Sequence, residues 1–119
     1  MSQPKSYDGG CHCGAVRFAV TMSLDDLITC NCSICQKRGS ILGFVPAPAF
    51  ELASGGESLT DYQFNRRAIH HAFCKTCGVA SFARGEMPDG TAMVGVNVRC
   101  LDGVDAWSLS AKQFDGKSL

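Results

Sequence analysis

No apolar run in these 119 residues approaches the ~18 that a membrane-spanning helix needs. The opening residues, Met1-Ser2-Gln3-Pro4-Lys5-Ser6-Tyr7-Asp8, contain no apolar signal region. Both absences point to a cytoplasmic protein without a membrane partner. A basic excess is missing as well, since 11 Lys+Arg balance 11 Asp+Glu. A chain that neutralised many phosphates would carry one, so nucleic acid is not an expected partner. Repeats and linkers are absent, and the length suits one domain over 1–119. Two domains would each be too small to bury a good core.

Cysteine is what the chain has in excess, with eight residues in all. Cytosolic thiols are kept reduced, which argues against a disulfide framework and for metal ligation or thiol chemistry. The cysteines are bunched: Cys11-His12-Cys13, Cys30-Asn31-Cys32-Ser33-Ile34-Cys35 and Cys74-Lys75-Thr76-Cys77, with Cys100 alone. Buried structural thiols have no reason to cluster in this way.

Two clusters, Cys11-His12-Cys13-Gly14 and Cys74-Lys75-Thr76-Cys77-Gly78, end in cysteine followed by glycine. A metal knuckle looks like this, because the chain turns sharply around the ion and glycine accepts the positive φ. Cys11, Cys13, Cys74 and Cys77 together supply the four thiolates of a closed structural zinc site. That ion would staple the start of the fold to its second half and contribute to folding directly.

The middle cluster lacks the glycine and reads as the start of a short helix. Ser33 can cap near its beginning, Lys37 and Arg38 suit its C-terminal end, and Gly39 stops it. Cys32 and Cys35 share one helical face, where the helix dipole favours thiolates. Cys30, Cys32 and Cys35 are three ligands, the number found in a catalytic zinc with one open position. His12 or Cys100 as an inert fourth ligand, a Cys32–Cys35 disulfide and an empty second site are the alternatives.

The remainder alternates and turns like a β protein. Val16, Phe18 and Val20 alternate with Arg17, Ala19 and Thr21. Further strands are expected at 27–29, 41–45, 50–52, 59–65, 68–73, 79–84 and 91–98. Pro46 and Pro48 argue for an edge or a break after the 41–45 strand. Arg66-Arg67 would turn one hairpin and Met87-Pro88-Asp89-Gly90 another. Gly55-Gly56, Asp102-Gly103 and Asp115-Gly116 mark further turns. Helix is minimal, and a small mainly β domain of short antiparallel sheets follows.

Cys11-His12-Cys13-Gly14-Ala15-Val16-Arg17-Phe18, the 30–37 segment and Phe73-Cys74-Lys75-Thr76-Cys77-Gly78 resemble the glutathione-dependent formaldehyde-activating enzyme family, which includes centromere protein V. Val96-Asn97-Val98-Arg99 and Phe114-Asp115-Gly116 match its later segments. The resemblance covers nearly the whole chain. It implies a small β fold similar to that of a Rab exchange factor. It also implies two zinc ions, structural on Cys11, Cys13, Cys74 and Cys77 and catalytic on Cys30, Cys32 and Cys35. The implied activity is a carbon–sulfur lyase reaction, addition of glutathione to formaldehyde giving S-hydroxymethylglutathione. The chain is shorter than the formaldehyde-activating members, so glutathione contacts on their longer loops do not carry over.

Other residues have plainer roles. His70 and His71 are neighbours on a strand and face opposite ways. The His12 side chain points away from the metal its neighbours would bind. Arg66, Arg67 and Arg99 are able to hold a carboxylate of an acidic thiol, but solvated or ion-paired roles are the better expectation. Cys100 reads as a small core residue, and Trp107 and Phe114 as core. Two functions compete: an enzyme adding a zinc-activated thiol such as glutathione to a small aldehyde, or releasing it, and a non-catalytic module that docks a protein or carries glutathione. Two Zn²⁺ and seven thiolates would bring the holo protein to about −3, with no bulk attraction for phosphate.

Overall fold

The computed structural model describes residues 3–64 and 69–118. Two sheets pack over one core. A three-stranded antiparallel sheet has the order β1 (Lys5–Gly10), β2 (Arg17–Met22), β5 (Phe50–Ser54). The larger sheet runs β10 (Lys112–Phe114), β3 (Ile28–Cys30), β4 (Leu42–Pro46), β9 (Ala92–Asn97), β8 (Phe82–Glu86), β7 (His70–Cys74), β6 (Leu59–Tyr62). Its pairs are antiparallel except β10 with β3. Helix α1 (Ser33–Arg38) is the only α-helix among the described residues, and none there is long and apolar enough to cross a membrane.

The alternation from Val16 through β2 does what period two requires: Val16, Phe18, Val20 and Met22 are buried. They meet Phe50 of the neighbouring β5 and Phe82, Val45, Val94 and Val96 of the facing sheet. Phe50 bridges the sheets, with its ring centroid 5.1 Å from Phe18 and 4.7 Å from Phe82. Each such side chain contributes about 1.5–3 kcal/mol by leaving water.

Register settles what lies on the other face of the large sheet. Val45, Val94, Val96, Phe82 and Ala72 share the core face, so Leu42, Phe44, His71 and Phe73 point outward. Ile28 sits opposite Leu42, and alternation puts Cys30 on that same outer face.

Several expectations shift in detail. Two strands had no sequence signal, β1 and β10, and the expected 79–84 strand begins only at Phe82. Pro46 ends β4 inside its pairing with Met93, and the break follows as a 3-10 turn over Ala47–Ala49. That strand is not an edge, since β3 and β9 flank it. Cys32, not Ser33, occupies the N-cap of α1, while Gly39 ends the helix in the left-handed conformation, donating its N–H to the Cys35 carbonyl. Trp107 is no core residue: it is 95% exposed in a turn where its N–H bonds to Asp105. Phe114 is also largely exposed, on the short edge strand β10. Both lie in stretches too short and polar to present an inward face. Arg66 and Arg67 fall outside the described residues.

Candidate metal centres

The first and third clusters come together where β7 ends and β1 hands over to β2. The sulfurs of Cys11, Cys13, Cys74 and Cys77 all lie within 4.8 Å of one another. Cys13 Sγ is 3.6 Å from Cys11 Sγ and 3.7 Å from Cys74 Sγ. Four sulfurs ~2.3 Å from one tetrahedral zinc would be about 3.8 Å apart, so the donor set fits that ion. The two knuckles are built alike. Gly14 N–H reaches back to the Cys11 carbonyl and Gly78 N–H to the Cys74 carbonyl, with φ of +84° and +79°. Backbone N–H groups point at the sulfurs: Val16 to Cys11 at 3.3 Å and Thr76 to Cys74 at 3.4 Å. N–H groups of Cys13 and Val79 pull the Cys77 thiol down to about 6. Donors preset around sulfur favour thiolates.

The second cluster lies apart from the first. Cys30, Cys32 and Cys35 also place their sulfurs within 4.8 Å of one another. Cys30 ends β3, Cys32 caps α1 and Cys35 follows one turn later. Burial opposes charge on Cys32, but the N–H groups of Cys35 and Ile34 hold its pKa below the usual thiol range. Burial, with Cys32 and Cys30 adding, pushes the Cys35 thiol up to about 12. Three thiols this close do not ionise together without a cation, a charge that a zinc ion could supply. Among the described residues, neither His12 nor Cys100 joins this group. Cys100 packs against the core, where burial raises its pKa.

Two residues that the spacing did not reveal shape the triad. Asn31, between two of its cysteines, donates to Asp115 Oδ1 at 2.9 Å and accepts from the Lys117 N–H at 2.9 Å. These bonds tie residues 115–117 beside the cluster. Gly116 then passes so close that a Cβ there would sit 2.6 Å from Cys30 Sγ. The sequence marked Asp115-Gly116 only as a turn, and the packing against Cys30 is a long-range fact.

A model of the family described as glutathione-dependent formaldehyde-activating enzyme matches residues 6–117. The chain belongs to that family. A crystal structure of a Rhodobacter sphaeroides protein, a structural-genomics target, is also similar, at 34% identity and a TM-score of 0.82. The match covers 90% of this chain and 99% of that one. The family match spans both cysteine clusters, the Asn31 clamp and Gly116, which ties the fold and the thiol-rich architecture to glutathione-related formaldehyde activation.

The remaining candidates separate. His70 and His71 do face opposite ways: His71 is buried while His70 is exposed and bonds Asp61 Oδ2 at 2.6 Å. The His71 ring stacks 5.2 Å from Phe64, and burial lowers its pKa, so it is neutral at pH 7. Arg99 is exposed in a 3-10 turn and is not among the ion-paired residues. Arg38, which the sequence marked only as a helix-end charge, stands one turn beyond Cys35 with its guanidinium 5.8 Å from the Phe73 ring centroid.

Proposed function

We propose that residues 1–119 act as one cytoplasmic zinc-binding unit, a carbon–sulfur lyase that joins a small-molecule thiol such as glutathione to formaldehyde or another small aldehyde, and releases it in reverse. Cys11, Cys13, Cys74 and Cys77 would hold a structural zinc, and Cys30, Cys32 and Cys35 a catalytic one. The observation that carries this is the contrast between the clusters. One has four sulfurs, a complete tetrahedral set, and the other stops at three with no fourth side chain brought to it among the described residues. Eight unpaired cysteines support a reducing compartment.

Zinc at the triad would supply a Lewis acid that lowers a thiol's pKa from its free value of ~8.5, leaving it ionised at neutral pH. The rest falls to the chain. Backbone N–H groups of Ile34 and Cys35 steady the Cys32 thiolate. The Asn31 clamp and Gly116 hold the C-terminal segment against Cys30, which restricts approach to the side away from it. In the addition a carbon–sulfur bond forms between thiolate and carbonyl carbon as the C=O π bond opens onto oxygen, and that oxygen takes from solvent a proton equivalent to the one the thiol gave up; the lyase direction reverses these changes.

Exchange spectroscopy on the glutathione–formaldehyde hemithioacetal at equilibrium tests this. Zinc-loaded protein should speed exchange, and Cys32→Ser should remove the effect while the domain stays folded. Equal rates with wild type, Cys32→Ser and no protein would refute the lyase reading.

A further inference from the structure

We propose that Arg38 anchors a carboxylate of the thiol substrate, so that the site selects acidic thiols over neutral ones. This rests on the lyase reading above and names the chain's own contribution to specificity. Arg38 and Cys35 are three residues apart on α1 and so share a helical face. Strand alternation puts Phe73 on the outer face of the large sheet, the face that also carries Cys30 four strands away, and the Arg38 guanidinium of α1 lies 5.8 Å from the Phe73 ring centroid. An aromatic face beneath a guanidinium leaves its N–H fork free to point at another group.

Among the described residues that fork has no carboxylate partner. Among the described residues the ion pairs are Arg17–Asp102 and His70–Asp61. Desolvation works against its charge, and among the described residues Cys35 and Tyr62 favour it. His71, neutral and buried, supplies no counter-charge either. An exposed cation one helical turn from the triad, set over a ring and with no ion pair among the described residues, is complementary to a small anion. The backbones of Cys35 and Arg38 are one helical turn apart, ~4.5 Å of rise, and the Arg38 side chain extends from there over Phe73, so the carboxylate it would hold is one several bonds from sulfur, as in glutathione. Arginine binds carboxylate bidentately, which makes the contact selective as well as attractive.

The test is calorimetric titration of zinc-loaded protein with glutathione and with its diethyl ester, in wild type, Arg38→Lys and Arg38→Gln. Metal content is measured alongside. Wild type should bind glutathione about 10–100-fold more tightly than the ester, the range expected for a charge-assisted hydrogen bond. Arg38→Gln should bring the two ligands level without loss of zinc, and Arg38→Lys should fall between. S-methylglutathione, which cannot present a thiolate but keeps both carboxylates, should lose its weaker binding in Arg38→Gln. Undiminished preference for glutathione in Arg38→Gln would overturn the assignment. So would equal weakening of glutathione and ester, since Arg38 would then only offset the charge of the thiolates. Either result leaves the lyase reading intact, whereas no binding of any thiol by wild type would remove both.

Discussion

Removing the four-sulfur cluster should destabilise the protein far more than removing the triad, because the two close loops of very different length. Cys13 meets Cys74 across 61 positions. Cross-linking a loop of that length removes about 4 kcal/mol of unfolded-state entropy at 25 °C on the chain-entropy scale, against about 2 kcal/mol for the handful of residues from Cys30 to Cys35. A domain of 119 residues is expected to have about 6–18 kcal/mol of total stability. The long closure is therefore between about a quarter and two-thirds of the whole. The perturbation is a pair of double variants, Cys13→Ser/Cys77→Ser and Cys30→Ser/Cys35→Ser. Neither Cys13 nor Cys77 is fully buried, so serine there disturbs packing little. Urea unfolding with native mass spectrometry reads stability and metal count together. The first variant should lose about 4 kcal/mol or fail to fold, and the second should lose about 2 kcal/mol or less and retain one zinc. Equal losses in the two variants would refute the division into a folding clasp and a local site.

Gly116→Val should strip zinc from the triad alone, since even a Cβ at that position meets Cys30 Sγ at 2.6 Å; inductively coupled plasma analysis should find one ion per chain in place of two. Transfer of metal to a chromophoric chelator should be biphasic, because a three-thiolate site with an exchangeable ligand releases zinc sooner than a closed one; a single phase carrying both ions would contradict this. Burial lowers the His71 pKa, so the unfolded chain takes up the proton first. Stability from this group is therefore full above the unfolded value of ~6.5 and falls as pH drops below it, by at most about 1.4 kcal/mol per pH unit. His71→Phe should flatten that fall relative to wild type in urea midpoints from pH 7.5 to 5, and parallel curves would show that His71 does not titrate as described.

The cysteine clusters were legible because their information is local. Cys-x-Cys-Gly and Cys-x-x-Cys-Gly dictate tight turns with donors aimed at sulfur, and the structure closes both turns onto one point. Strands with a buried face were legible for a similar reason, as the Val16–Val20 alternation shows. What escaped notice is held by partners distant in sequence. Lys5–Gly10 has no apolar rhythm and is a strand only because β2 pairs along its full length. Lys112–Phe114 has three exposed residues and is fixed in parallel to β3, with Asn31 clamping the turn beyond it. Trp107 misled because large aromatics are more often inside than out. Arg38 read as a charge suited to a helix end, and only the sheet register sets Phe73 beneath it.

The parallel pairing of β10 with β3 also has a consequence for how the protein is made. Ribosomes deliver Cys30, Cys32 and Cys35 about 80 residues before Lys112, a delay of roughly 4–16 s at 5–20 residues per second. During translation the three thiols therefore emerge long before the segment that will flank them, with Asn31 still lacking both its partners. Cys11 and Cys13 wait for Cys74 in the same way. Until residues 112–117 arrive, the triad lacks the segment that flanks it in the finished fold. Oxidative stress in the cell would strike this newborn form, by linking Cys32 to Cys35, well before it harmed the finished fold.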